Sequence, residues 1–296
     1  MSEVVPYRPG ALESFLSRHG RKLWVVFVAL GALYVLVPPI LLVIVSFESS
    51  GVVRLPQGFT LRWYAEMFTD IGLMNALFKS IGLALLTVAI AVFLALQVAL
   101  GYRKTKHKTL VIAIMILPIF LPGMIQGFSL SILLTQFLGV QRTFLTELIG
   151  HISWALPFAF LVILTSMSAV QRETVMAAMD LGANPWQAFR DIEYPIIKPG
   201  LISAAIFSFV LSFNEFSRTF YLQGIGPTVP TFVFNKITVD ITPEIFALSA
   251  LTVVLSLGLI ALGTLYLTFV GRAGEEVSEA EMPADMEMPG KAEKPT

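Results

Sequence analysis

The chain has 296 residues, of which 56% are hydrophobic and 14% charged, and its mean hydropathy is +0.78. A soluble domain carries roughly 25% charged residues, so this composition places the chain in a bilayer. Its net charge of zero argues against a broad nucleic-acid surface, and the absence of cysteine excludes disulfides and thiolate metal sites.

A helical crossing of the hydrocarbon core needs about 20 apolar residues. Uncharged runs cover 23–47, 80–102, 109–141, 148–171 and 245–271, and a weaker one covers 199–214. Six spans are therefore predicted, at about 23–47, 73–100, 109–136, 145–167, 200–222 and 245–271. A tail of residues 1–22 precedes them. The first run has a 25-residue core without a small-residue cleavage site, so it reads as a retained anchor and not as a signal peptide. After it, Trp63 and Tyr64 suit an interfacial helix, where aromatic rings settle at headgroup depth. In the third span, Pro118, Pro122, Gly123 and Gly127 free backbone carbonyls and allow close helix approach, and Gln126 and Ser129 add polarity; a bent helix beside a cavity is expected, although packing alone would explain Gly127. In the fourth, Glu147 and His151 stand at i and i+4 and predict a local hydrogen-bonded pair, while Pro157 predicts a kink.

The fifth run reaches span length only by passing through Glu215 and Arg218 to about Leu222. Glu215 would then lie roughly 21 Å above Leu201 at the α-helical rise, in the outer half of the bilayer. Charges at that depth face an aqueous path or a partner. Two readings stand: Glu215 and Arg218, with Asn214 beside them, line a solute path, or the two charges neutralise each other. Beyond Arg272, residues 272–296 are acidic, rich in Pro and devoid of aromatics, and read as a disordered tail.

Lys and Arg in the flanks set the orientation. Arg8, Arg18, Arg21 and Lys22 precede the first span, Arg103, Lys104, Lys106 and Lys108 follow the second, and Arg172, Arg190 and Lys198 follow the fourth. The opposite side holds Arg54 and Arg62, then Arg142, then Lys236. Both termini and the connection between the fourth and fifth spans are expected in the cytoplasm.

That connection reads ETVMAAMDLGANPWQAFRDIEYPIIKPG over 173–200. Val170, Thr174, Ala177, Ala178 and Leu181 share one helical face. Gly182 falls where a left-handed residue closes a helix without a Cβ penalty. Asn184 and Pro185 have the chemistry of an N-cap and a first helical residue. A second short helix is expected from Pro185 to about Ile192, carrying Trp186 and Phe189 along one side and ending at Tyr194-Pro195. The coupling segment 170–195 is thus two short helices around an elbow. It either lies on lipid headgroups or plugs a groove on a cytoplasmic partner.

MAAMDLG, with Ile192 ten residues after its Gly and Pro195 closing, resembles the cytoplasmic signature of the integral-membrane permeases of ATP-binding-cassette importers. Met176 stands where that family has Glu, and Tyr194 where it has Leu. VPPILLVIVSF, FTLRWYAEMF, LPIFLPGMIQGFSL, HISWALPFAF and FSFVLSFNEFSRTFYLQG are similar to the polyamine (spermidine/putrescine) branch, from about Leu36 to Phe269. The resemblance implies an all-α integral membrane protein with six transmembrane helices and a cytoplasmic helix–elbow–helix segment between the fourth and fifth. Ala177, Ala178, Gly182, Ala183, Asn184, Pro185, Trp186, Phe189, Ile192 and Pro195 would couple it to an ATPase. Gln126, Ser129, Asn214, Glu215 and Arg218 are the candidates for a solute path.

The implied assembly is a multi-pass permease in the cytoplasmic (inner) membrane, paired with a second permease as homo- or heterodimer. Two ATPase subunits would lie below and an extracytoplasmic solute-binding protein above. No cofactor is expected on this chain; ATP and Mg belong to the partner ATPase. The solute would be a polyamine, a related organic cation or an amino-acid derivative, or else ferric ion or an opine-like solute.

No GxxxxGK[ST] phosphate loop occurs, so the chain does not hydrolyse ATP by that mechanism. Neither a Ser/His/Asp set nor a metal-spaced cluster stands out, and His19 and His107 lie in basic flanks. An ion-coupled secondary transporter would carry repeated halves and midplane charges, and a channel an Arg-rich sensor or a filter motif. A scaffold remains a third reading. The six-span topology predicts that a reporter after Arg103–Lys108 is cytoplasmic and that one between Leu55 and Phe59 is external. Compartment-specific labelling of the two fusions checks this, and both on one side would refute it.

Overall fold

The computed structural model describes the backbone of residues 11–50, 57–239 and 243–280. Residues 1–10 and 281–296, the outer parts of both expected tails, lie outside the described residues, as do 51–56 with Arg54. Among the described residues the chain is helical, apart from turns and a single bridge between Glu48 and Phe59. It divides into two units, Met1–Thr69 with Lys236–Val253, and Asp70–Asn235 with Val254–Thr296.

In the first unit, α1 (Ala11–Val45) contains the apolar stretch Trp24–Val45, none of which is buried. α2 (Arg62–Thr69) returns to the end of α1. Its Trp63 is buried, with the indole Nε1 donating to the Glu48 carbonyl at 2.6 Å. The Glu48 carboxylate accepts from the Ser50 and Gln57 amides at 2.9 and 2.8 Å. Phe47 stacks on Phe59, and the Tyr64 hydroxyl meets Ser46 at 2.6 Å.

The second unit is built on α3 (Ile71–Lys104), α6 (Phe144–Met167) and α9 (Tyr194–Phe213). Between α3 and α6 run α4 (Lys108–Ile116), a 3-10 turn (Leu117–Phe120), α5 (Gly123–Ile132) and a π turn (Leu133–Phe137). The core gathers Ala95, Ala99, Ala159, Phe160, Ile163 and Ile197. Small residues bring the backbones together, as expected where lipid removes the hydrophobic drive between helices. At Gly200, a Cβ would overlap the Ser166 side chain.

Among the described residues, five helices are long and apolar enough to cross a membrane: Trp24–Val45, Ile71–Lys104, Phe144–Met167, Pro185–Phe213 and Glu244–Phe269. The region of the expected third span is a bent pair of helices, which adds a sixth crossing only if its two halves form one span, and the bend falls among the prolines and glycines that allow one. Lys108–Phe120 and Gly123–Phe137 meet at 102°. Pro122 lacks an amide to continue the helical ladder and pushes Leu121 to extended ψ, here 126°.

The fifth span is corrected at both ends. Beyond the elbow, α8 (Pro185–Ala188) passes through a π turn (Phe189–Glu193) directly into α9, so no break occurs at Tyr194-Pro195. Pro195 lies in the first turn of α9, where its missing amide costs little. At the other end the helix stops at Phe213, leaving Glu215 and Arg218 in a non-helical stretch before α10 (Thr219–Leu222). An unforeseen α11 (Val229–Val239) follows, and α12 (Pro243–Ala280) carries the last crossing. The backbone of α12 stays helical to Ala280, so the segment after Arg272 begins as helix and not as the expected disordered tail.

Candidate functional site

Two regions carry the candidate residues. The first follows α6. α7 (Arg172–Asp180) closes with the Gly182 amide donating to the Met179 carbonyl and the Ala183 amide to the Ala178 carbonyl, both at 3.0 Å. Gly182 sits at φ +97°, and the pattern is the left-handed closure in which the last orphan carbonyls are satisfied. Asn184 Oδ1 then accepts from the Trp186 and Gln187 amides at 3.0 and 2.9 Å. Gln187 Oε1 accepts from the Asn184 amide at 2.9 Å, completing a reciprocal cap with Pro185 in the first helical position. The positive-φ closure at Gly182 and the Asn184 cap with Pro185 after it, both expected from the sequence, are present in the backbone.

The segment is two-sided. Val175 and Phe189 pack on the core, Ala188 is buried, and Ala178, Ala183 and Ile192 are half-buried. Ala177, Asn184, Pro185 and Pro195 are exposed, together with Met176, Met179, Leu181 and Trp186. Leu181 is 91% exposed, an unusual state for a leucine at a fixed helix end. Glu193 bonds Arg103 at the end of α3 at 3.0 Å, a tie that sequence reasoning missed.

The second region surrounds the break after Phe213. Glu215 Oε1 accepts from the Arg218 amide at 2.8 Å, and Glu215 Oε2 from Arg218 Nη1 at 2.9 Å. Arg218 Nε donates to Gln126 Oε1 at 2.7 Å, and its guanidinium lies 4.1 Å from the Trp154 ring centroid. Glu215 is 6% and Arg218 2% exposed. Gln126 Nε2 reaches Ser153 Oγ at 3.4 Å. Gln126, Glu215 and Arg218 are thus brought together, and Trp154 joins them unforeseen. Ser129 is exposed, and Asn214 Nδ2 donates to Val210 O and to Ser256 Oγ at 2.8 and 3.1 Å; neither shares a hydrogen bond with the cluster.

The expected Glu147–His151 pair does not form. His151 lies 2.7 Å from Ser212 Oγ and 2.8 Å from Thr219 Oγ1, one partner on each side of the break. Glu147 instead accepts from Lys79 Nζ and from the Gly224 amide, both at 2.7 Å. Lys79 also donates to the Ile225 and Gly226 carbonyls. The signal for Lys79 was available, since it is the lone charge before a long apolar run. Among the described residues, no three His, Asp or Glu side chains are grouped to hold a metal ion.

Long apolar helices and a bent apolar pair define a multi-pass membrane protein. Residues 88–273 match the family described as binding-protein-dependent transport system inner membrane component. The chain belongs to this family, as a multi-pass inner membrane protein and not an enzyme. It is 30% identical over 236 residues to the putrescine transport system permease protein PotI of Escherichia coli (strain K12), covering 77% of this chain and 84% of that one. It is 28% identical over 227 residues to the spermidine/putrescine transport system permease protein PotC of the same strain, covering 76% and 86%. Among solved structures, a bacterial ABC transporter importing alginate aligns with TM-score 0.61 at 13% identity, covering 88% of this chain and 99% of that one. An inward-facing MetNI methionine ABC transporter aligns with TM-score 0.57 at 14% identity, covering 67% and 95%.

Breaking one half of the buried pair leaves the other charge uncompensated, at about 3–5 kcal/mol. Glu215→Gln is therefore expected to lower the thermal midpoint of the purified protein, and adding Arg218→Gln is expected to recover most of the loss. Melting curves of the wild-type, single and double variants in detergent check this; a double variant no more stable than Glu215→Gln would refute the pairing.

Proposed function

We propose that this chain is one of two permease subunits of an ATP-driven importer moving a small organic cation, a polyamine or related amino-acid derivative, by alternating access. The solute class is carried by the likeness to PotI and PotC, whose names give putrescine and spermidine/putrescine. The side-chain chemistry supports it: a carboxylate, an amide carbonyl and an aromatic face at one point suit an organic ammonium group.

In this reading both termini and the coupling segment are cytoplasmic, as the Lys and Arg distribution favours. An ATPase carrying ATP and Mg receives the exposed side of 170–195, while Phe189, Val175 and the Arg103–Glu193 pair hold its other side to the bundle. Two such ATPases lie beneath this subunit and a second permease, identical or related, and an extracytoplasmic binding protein delivers the solute. The unburied faces of α1 would meet lipid and the second permease. Gln126, Glu215 and Arg218 line the solute path. Met176 in place of a carboxylate leaves the docking contact to apolar side chains.

Expressed with its partner subunits, the chain is expected to support ATP-dependent uptake of labelled putrescine or spermidine, measured in cells lacking their own carriers. Uptake of neither by an intact assembly would overturn the solute class.

Gly182→Val puts a β-branched residue at positive φ, costing about 1–3 kcal/mol, and tilts α7 away from the docking side. ATPase co-purification or solute-stimulated ATP hydrolysis is expected to fall while membrane insertion persists. Unchanged hydrolysis would count against this segment as the coupling element.

A further inference from the structure

We infer that Arg218 is a tethered stand-in for the solute: Glu215, Gln126 and Trp154 form an organic-cation site that the chain fills with its own guanidinium until a solute ammonium group displaces it. This rests on the organic-cation reading above.

The composition of the site supports it. The three groups facing the guanidinium are an anion, a carbonyl oxygen and a ring face, at 2.9, 2.7 and 4.1 Å. Each attracts a cation, and a free ammonium group would find the same partners. The occupant is also placed to leave. The guanidinium is held by side chains alone, so a change of rotamer frees it without breaking a backbone hydrogen bond.

Self-occupation solves an electrostatic problem. An unpaired carboxylate at membrane depth is costly, so an empty cation site there would be destabilising between transport cycles. Arg218 keeps it neutral. An arriving cation adds a charge and must expel the guanidinium, and the returning guanidinium then competes the solute off. Such a site is occupied briefly, which suits a path where binding must be weak enough to permit exit. Beyond Trp154, Phe158 and Phe207 continue edge to face at 4.8 and 5.6 Å, offering further ring surfaces to a cation leaving the site.

The test uses the permease–ATPase assembly without its binding protein, in nanodiscs, with ethylguanidinium and putrescine as probes against sodium chloride of equal ionic strength. Arg218→Ala is expected to lower the melting midpoint by several degrees, and ethylguanidinium or putrescine to restore most of that loss. Wild type, already filled, is expected not to respond, nor is Glu215→Gln/Arg218→Ala, which lacks the carboxylate. No restoration of Arg218→Ala, or an equal shift in all three proteins, would overturn the proposal. Restoration by ethylguanidinium but not putrescine would overturn the exchange step. Arg218→Gln carries the same comparison if Arg218→Ala does not accumulate. Wild-type uptake of labelled putrescine is measured separately: its absence with ethylguanidinium rescue intact sinks the solute class and leaves the cation site standing.

Discussion

A helix that stops inside a packed bundle leaves backbone donors and acceptors buried, so it can stop only where neighbouring groups take them up. The break after Phe213 is the constraint on which the second unit depends. Glu215 takes the Arg218 amide, Thr219 Oγ1 donates to the Glu215 carbonyl, and His151 joins Ser212 to Thr219 across the gap. α5 must come close enough to supply Gln126. Gly127 permits that approach, since a Cβ there would lie 2.7 Å from Arg218 Cα. α5 reaches this position because the crossing before it turns by 102° at Pro122. The bend at Pro122 and the break after Phe213 are therefore one feature, each supplying what the other needs.

Two of this unit's ion pairs, Lys79–Glu147 and Arg218–Glu215, are held differently. Lys79 and Glu147 are fixed mainly by backbone: the Ile225 and Gly226 carbonyls on one and the Gly224 amide on the other. They clamp the loop between α10 and α11, and neither can leave without releasing the chain. The Arg218 guanidinium is held by side chains alone. In the proposed cycle this difference makes the second pair the one that can exchange.

The elbow was legible in the sequence because its chemistry is local. Gly182 at positive φ, Asn184 as cap and Pro185 in the first helical position are decided by residues within a few positions of one another. The spans were legible because apolar length is a local quantity too. What failed was long-range. Nothing between Phe213 and Leu222 forbids a helix, and the break exists because His151 and Gln126 arrive from other elements. The i, i+4 spacing of Glu147 and His151 pointed to a local pair, but Lys79, 68 positions before Glu147, makes the better partner. Tyr194-Pro195 looked like a stop because a proline usually ends what precedes it. Here the π turn over Phe189–Glu193 reorganises the hydrogen bonding just before it, and the helix continues.

That continuity bears on how the proposed coupling could work. From Pro185 to Phe213 the chain is one helical piece of 29 residues, about 43 Å at the α-helical rise. Its first turn is capped at the elbow and its last abuts the break that holds Arg218. A hinge at Tyr194-Pro195 would let the elbow move while the cation cluster stayed still. A continuous helix links the two: in the proposed cycle, displacement of its capped end would be passed to Ser212 and Phe213, hence to the His151 bridge. In the proposed cycle, nucleotide-driven movement of the elbow would then alter the geometry that keeps Glu215 and Arg218 together, and the release of solute would follow from the same motion that closes the ATPase.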